Sequence, residues 1–465
     1  MDARYEVLDE AGRLAREFVT GLPKRHVGAQ ADLEELRARL VRPLSDGGED
    51  PRTVIRDLAQ DVDPGLVASA GPRYFGFVIG GALPVAVAAD WLVTAWDQNG
   101  GGYPASPALS VAEEVAATWT RDLLGLPENC GIGFVTGCQM AHFTCLAAAR
   151  HAVLRDAGWD VEADGLQGAP VLRVIASEHA HVTVRVACRM LGLGDGRIAL
   201  VAADDQGRMV PHELVRVLER TSGPTIVCAQ AGEINTGAFD PLAEIIDACR
   251  AHGAWCHVDG AFGLWAAVSP TRTHLLDGYE RADSWATDAH KWLNVPYDCG
   301  IAAVADRTAH RAAMTSTSAY IPEHDEDIPW GFDWTPEFSR RTRGVPLYAT
   351  LRALGRRGLA EMIDRSCEQA GLMAARLRDG DGVEILNEVV LNQVIVRFHD
   401  DDEITEAVTE RVQDDGTCWL SGSTFDGRAV MRVSIVGWQT TEADIERSAD
   451  AILSAARAGP PLPPL

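Results

Sequence analysis

A lysine poised to form a Schiff base sits partly out of water, because losing solvation lowers its pKa and frees the amine for attack. Lys291 has such a setting in DAHKWLNVPYDCG, Asp288 to Gly300, just after the strand-like run SWATD. A His-Lys pair alone says little, since most are solvated surface; three upstream segments change that. HVDGAFG puts Asp259 at the end of another strand-like run. A carboxylate there can cap a helix, bind a metal or hold a protonated ring nitrogen. No nearby His or carboxylate spacing completes a ligand set, so no metal is expected. SEHAHVTV adds His181 after a third run, and VTGCQMAH supplies the turn Gly137-Cys138-Gln139 at the start of a helix. Free N–H groups at such a helix start suit a phosphate. The turn lacks the Lys-Ser/Thr ending of a P-loop, which disfavours nucleoside triphosphates.

These residues need a frame. Short β-branched runs recur at 133–136, 171–177, 197–203, 225–231, 255–259, 284–288 and 301–305, with helical stretches in most of the gaps. That alternation implies an α/β fold with a mainly parallel sheet covered on both faces. Ligands of such sheets sit at the carboxyl ends of the strands, where each of the four motifs falls. A phosphate cradle, a carboxylate, a His and a Lys at four strand-to-helix junctions are what pyridoxal 5'-phosphate requires.

The sheet region, 111–315, is flanked on both sides. Residues 1–110 read as helices broken by loops, none self-sufficient, expected to drape over another domain or a second subunit. Residues 316–344 form a long irregular stretch, read as a mobile loop because its charges and prolines make a poor core. Residues 345–465 read as a small α+β domain. It has a helix over 346–377, strands near VEIL, QVIVRF, TCWLSG and AVMRVSIV, and helices at EITEAVTERVQ and EADIERSADAILSAA.

At 465 residues the chain exceeds one compact domain, and 46% hydrophobic with 23% charged residues is ordinary globular composition. Lys and Arg number 42 against 67 Asp and Glu, a formal net charge of −25, which repels phosphate backbones and argues against nucleic-acid partners. The apolar segment Leu83 to Trp96 is interrupted by Asp90 and too short to span a bilayer, and Met1 to Phe18 lacks a signal peptide's apolar stretch. Ten scattered cysteines without a C-x-x-C pair read as buried reduced thiols of a cytoplasmic protein.

The chain resembles the group II pyridoxal-phosphate-dependent amino-acid decarboxylases, relatives of the aromatic amino-acid, histidine and glutamate decarboxylases. The resemblance runs from about Gly71 to Gly437. It rests on SPALSVAEEVAATWTRDLLGLP, VTGCQMAH, AHVTV, NTGAFDPL, HVDGAFG, ADSWATDAHKWLNVPYDCG and the loop tyrosine. It implies fold type I, with an N-terminal helical layer that clasps a partner and a homodimer whose active site is completed by the partner's loop. Lys291 would carry the cofactor as internal aldimine, and Asp259 would hold the pyridinium proton. His181 would stack on one ring face and Ala261 pack on the other, while Gly137, Cys138, Gln139 and His290 would hold the phosphate. Tyr320 would protonate the carbon left after CO₂ departs. The implied reaction is decarboxylation of an L-amino acid to its amine through an external aldimine and a quinonoid. The alternatives are decarboxylation-coupled oxidative deamination to an aldehyde, or a non-catalytic relative that binds the cofactor.

Departures from the family pattern bear on the phosphate and the substrate. Gln139 stands where a small hydroxyl residue is usual, and Asp288 replaces what is often Asn, so its charge must be compensated or turned away. Glu233 falls where Thr or Asn is commoner. Facing the cavity, it would disfavour acidic substrates. Phe77 and Ile79, in the glycine-rich RYFGFVIGGALP, are the other substrate-pocket candidates. Together they point to a neutral, aromatic or branched aliphatic L-amino acid.

Overall fold

The computed structural model describes residues 3–315 and 328–458. They divide into two compact units. The larger comprises 82–368 and 387–393, and the smaller 1–81, 369–386 and 394–465.

The larger unit is built on seven strands: β1 (Gly131–Val135), β2 (Arg173–Ser177), β3 (Ala199–Val201), β4 (Thr225–Gln230), β5 (Trp255–Asp259), β6 (Ser284–Asp288) and β7 (Gly300–Val304). Their order is β1-β7-β6-β5-β4-β2-β3. β7 runs antiparallel to both neighbours; the pairs β2–β3, β2–β4, β4–β5 and β5–β6 are parallel. The sheet is α/β and mainly parallel, as the alternating pattern requires. β1, β4, β5, β6 and β7 are buried along their whole length, as expected of strands covered on both faces. Register then lines up the strand ends that matter. Val135 and Asp288 both pair with Gly300, Asp259 with Ala286, and Gln230 with Asp259. The helix Cys138–Asp156 packs on this sheet with Ala141, Cys145, Ala148, Ala149 and Ala152 buried, small side chains that let it approach closely.

Ile328 onward departs from the expected mobile loop. Phe332 and Asp333 are buried, Asp333 accepts hydrogen bonds from Thr315 Oγ1 (2.8 Å) and Arg311 Nε (3.2 Å), and Phe332 stacks on Phe338 at 5.0 Å. Trp334 lies against β1, where a Cβ on Gly133 would come within 2.0 Å of its carbonyl oxygen. Arg340 pairs with the buried Glu113 at 2.5 Å, a kind of contact whose breakage costs about 3–5 kcal/mol. Composition signalled a poor core here; aromatic packing and a buried ion pair overrode it.

The smaller unit holds a four-stranded sheet, β8 (Val383–Ile385), β9 (Gln393–Phe398), β10 (Ser421–Phe425) and β11 (Arg428–Ser434), in the order β10-β11-β9-β8. Helices Asp402–Asp415 and Glu442–Arg457 complete its C-terminal part. The strand expected at TCWLSG begins only at Ser421; Trp419 instead bridges to Tyr74 and stacks on its ring at 5.1 Å. The helix expected over 346–377 spans Gly344–Arg378 and is broken at Gly355, whose φ of 62° no helix interior adopts. A helix at Pro51–Val62 has no counterpart in the sequence reading, although Pro51 at its first position and Asp50, which accepts from Arg52 N and Thr53 N, are a standard start signal. All ten cysteines are buried and unpaired. Among the described residues no helix is long and apolar enough to cross a membrane.

Candidate active site

The carboxyl ends of β1, β5 and β6 bring Gly137, Asp259 and Lys291 into one place. Lys291 Nζ lies 3.1 Å from Asp288 Oδ2, with 19% of the lysine side chain exposed. Burial opposes the lysine's charge, but Asp288, with Cys138 and Asp259 behind it, outweighs that and raises the pKa above the ordinary lysine value. The sequence reading expected the opposite shift. Desolvation was legible in the strand-like run; the fold-back that sets Asp288 against Lys291 was not. Asp288 is thus compensated rather than turned away.

His290 is also oriented. Its Nδ1 accepts from Cys299 N–H at 3.1 Å, so in the neutral ring, which burial favours by lowering the pKa, the proton sits on Nε2. Nε2 stands 3.6 Å from Asp288 Oδ1, a buried atom that takes no hydrogen bond. Gly137 closes the same corner, since a Cβ there would lie 3.1 Å from His290 Cε1. Gly300 is more constrained: its Cβ would fall 2.5 Å from the Gly137 backbone. Gly300→Ala is therefore expected to push the Gly137 turn away from β7 and weaken cofactor binding about tenfold or more, with secondary structure retained. Titration of the apoprotein with pyridoxal phosphate checks this, and parental affinity would refute it.

Asp259 is buried at the end of β5 and accepts from Ala261 N at 3.1 Å. Burial alone would raise its pKa, yet the His142 ring beside it, then His181 and Lys291, hold it well below the usual carboxylate range. His181 opens the helix Val182–Met190, its Nδ1 2.7 Å from Thr183 Oγ1. Ala261 is partly buried, and its carbonyl accepts from Asp288 N at 2.9 Å, tying the two strand ends together. Cys138 is buried and Gln139 exposed in the first turn of its helix.

The other expected residues among those described have partners of their own. Glu233 does not offer a free carboxylate: it accepts from Asn235 N and Thr236 N, each at 2.7 Å, and from Asn235 Nδ2 at 3.1 Å, so it holds together its own turn. Phe77 and Ile79 belong to the smaller unit. Phe77 is exposed and tilted over Trp419, and Ile79 packs beside Tyr74 and Leu22. Tyr320 lies outside the described residues.

Two histidines were missed by the sequence reading. His142 Nε2 faces Asp259 Oδ2 at 3.4 Å, and His142 Nδ1 meets His257 Nε2 at 2.9 Å. Both were findable, since His142 follows Cys138 by one helical turn and His257 shares a strand face with Asp259. Cys138, His142 and Asp259 also offer three ligand atoms within 4.8 Å of one another, a trio that no local spacing announced. Burial holds the Cys138 thiol far above its ordinary pKa, which favours a protonated hydrogen-bonding group over a metal-binding thiolate.

A lysine at a sheet end, a buried carboxylate, and a helix start beside a histidine that presents Nε2–H could together hold an aldehyde cofactor bearing a phosphate and a basic ring nitrogen. A family model described as the pyridoxal-dependent decarboxylase conserved domain matches residues 34–399, and the chain belongs to this family. Tryptophan decarboxylase 1 of Oryza sativa subsp. japonica is 29% identical over 415 residues, 82% of this chain and 79% of that protein. The acidic amino acid decarboxylase GADL1 of Xenopus tropicalis is 30% identical over 363 residues, 76% and 70% of the two chains. The crystal structure of Oryza sativa TDC with PLP and tryptamine has the same fold, with a TM-score of 0.91 at 24% identity over 98% of both chains. The protein is a pyridoxal-phosphate-dependent carboxy-lyase, and the residues at its sheet end fit that cofactor.

Proposed function

We propose that the protein decarboxylates an L-amino acid to the corresponding amine and CO₂. The observation that carries this reading is the convergence of Lys291, Asp259, His181 and His290 at one sheet end within a decarboxylase-family chain. When bound, pyridoxal phosphate supplies an electron sink for the pair left behind by the departing carboxylate. The chain's own residues do the rest. Lys291 would hold the cofactor, and Asp288 at 3.1 Å fixes the position of the lysine's charge. Asp259, ionised, would keep the ring nitrogen protonated, and His181 and Ala261 would confine the ring. His290 Nε2–H and the N–H groups opening the helix Cys138–Asp156 would hold the phosphate.

Glu233, spent on its own turn, no longer argues for or against acidic substrates. One relative's name specifies tryptophan and the other's acidic amino acids. The deciding test is a panel of the twenty amino acids scored for CO₂ release with each amine identified by mass. No CO₂ from any of them would refute the reading.

Tyr320 is proposed as the acid that delivers a proton to the substrate carbon. General acid catalysis contributes on the order of 10²–10⁴-fold. Tyr320→Phe is expected to lose amine formation by that factor, to bind cofactor normally, and, consuming one dioxygen and one water, to release aldehyde with CO₂, ammonia and hydrogen peroxide. Amine formed at the parental rate would exclude this assignment.

The working form is proposed as a homodimer. Helices Glu6–Gly21 and Pro51–Val62 bury no side chain and expose Leu8, Val54 and Leu58, apolar faces that a second copy would cover. A monomeric mass by light scattering of the active protein would exclude it.

A further inference from the structure

Behind Asp259 runs an unbroken line of buried polar groups. Trp255 Nε1 donates to Ser284 Oγ at 2.9 Å, Ser284 Oγ lies 2.9 Å from His257 Nδ1, and His257 Nε2 lies 2.9 Å from His142 Nδ1. His142 Nε2 then faces Asp259 Oδ2 at 3.4 Å. His142, His257 and Ser284 are all fully buried. The line spans two strands and a helix: Trp255, His257 and Asp259 from β5, Ser284 from β6, and His142 from the helix packed on them.

The chemistry of its two ends sets its direction. The indole at one end can only donate, and the carboxylate at the other can only accept. With one N–H on each ring, the arrangement that leaves no clash is Trp255 to Ser284 to His257 to His142 to Asp259. With one N–H per ring, the reverse arrangement turns a lone pair of His142 toward the carboxylate. Burial lowers the His257 pKa to about 3, so that ring is neutral at any working pH. Such buried networks are costly unless every member is satisfied, and this one ends on the residue that most needs a fixed charge.

We propose that His142 is a positioning residue, held by His257 and Ser284 so that its Nε2–H fixes the Asp259 carboxylate in its ionised form toward the cofactor's ring nitrogen. The proposal rests on the reading of Asp259 given above. Ala261 N–H, and the Cys138 thiol 3.9 Å from Oδ1, complete the set of donors around the carboxylate.

The test uses apoprotein titrated with pyridoxal phosphate, the visible spectrum of the reconstituted enzyme, and thermal unfolding. His142→Phe keeps the volume and removes the donor; hydrogen bonds to charged groups are worth enough that affinity should fall roughly 10–100-fold, with an altered cofactor band. His142→Gln restores an N–H at similar reach and should bind within about threefold of the parent. Ser284→Ala removes one oxygen and leaves both rings, and should weaken binding by about threefold to tenfold. Parental affinity and spectrum in His142→Phe, or equal loss in the Phe and Gln variants, would overturn the proposal. If His142→Phe does not fold, Ser284→Ala decides, and parental behaviour there overturns it. One equivalent of a transition metal in the holoenzyme would also overturn it, by giving Cys138, His142 and Asp259 to the ion. Asp259→Asn separates the two readings: if it too is parental, the assignment of Asp259 fails, whereas a defect confined to Asp259→Asn sinks only the role of His142.

Discussion

Replacing Lys291 by alanine is expected to lower decarboxylation on the order of 10³-fold or more and to remove the visible band of lysine-bound cofactor. Two functions disappear with the side chain. The covalent hold on the cofactor is lost, and Asp288, 3.1 Å away, loses its closest cation. Lys291→Arg separates them. It keeps a positive charge beside Asp288, but its guanidinium stays protonated and cannot make the linkage. The expectation is equal catalytic loss in both variants, with the arginine protein unfolding at a temperature nearer the parent's. Rates come from CO₂ release, and stability from thermal unfolding of the apoproteins. Activity retained in the alanine variant would refute the assignment of Lys291.

Asp259→Ala should cost about 10²–10³-fold, the scale seen when one preorganised electrostatic partner is removed from a site. The sign of its titration matters here. Its folded pKa is depressed below the ordinary carboxylate value, so its stabilising contribution is present above the unfolded value and is lost only as pH falls through the acid range. Across neutral pH the charge is constant. The parental rate should therefore show no inflection attributable to Asp259 between about pH 5 and 8, whereas Asp259→Ala should lose rate across that whole window. A variant as fast as the parent at any pH in that range would show that the ring nitrogen has another partner.

The frame of this protein was legible because its signals are local. Seven apolar runs separated by helical stretches can hardly be anything but crossover units, and all seven are strands of one sheet. The same holds for the motif residues. Lys291, Asp259, His181 and the Gly137 turn each sit at a strand end or helix start that its own neighbours define. Burial of the strands and the crossover rule do the rest, because parallel strands put all those ends on one edge.

What the chain did not announce depends on how its turns close and its elements pack. Asp288 and Lys291 are three residues apart, yet their pairing depends on the turn that sends the chain from β6 back into β7. Glu233 looked like a pocket residue until its turn closed on it, because a carboxylate two or three residues before exposed N–H groups finds them first. The packing of 328–343 was hidden by its composition, since a buried Glu113–Arg340 pair and a clearance over Gly133 cannot be read from charge counts. The line from Trp255 to Asp259 is the clearest case. Sequence determined which face of β5 holds His257 and Asp259, and which face of the helix holds His142. Only the packing of that helix on that sheet brought His142 Nδ1 and His257 Nε2 to 2.9 Å, because hydrogen bonds between elements are fixed by how side chains fill the space between them, not by the spacing within either one.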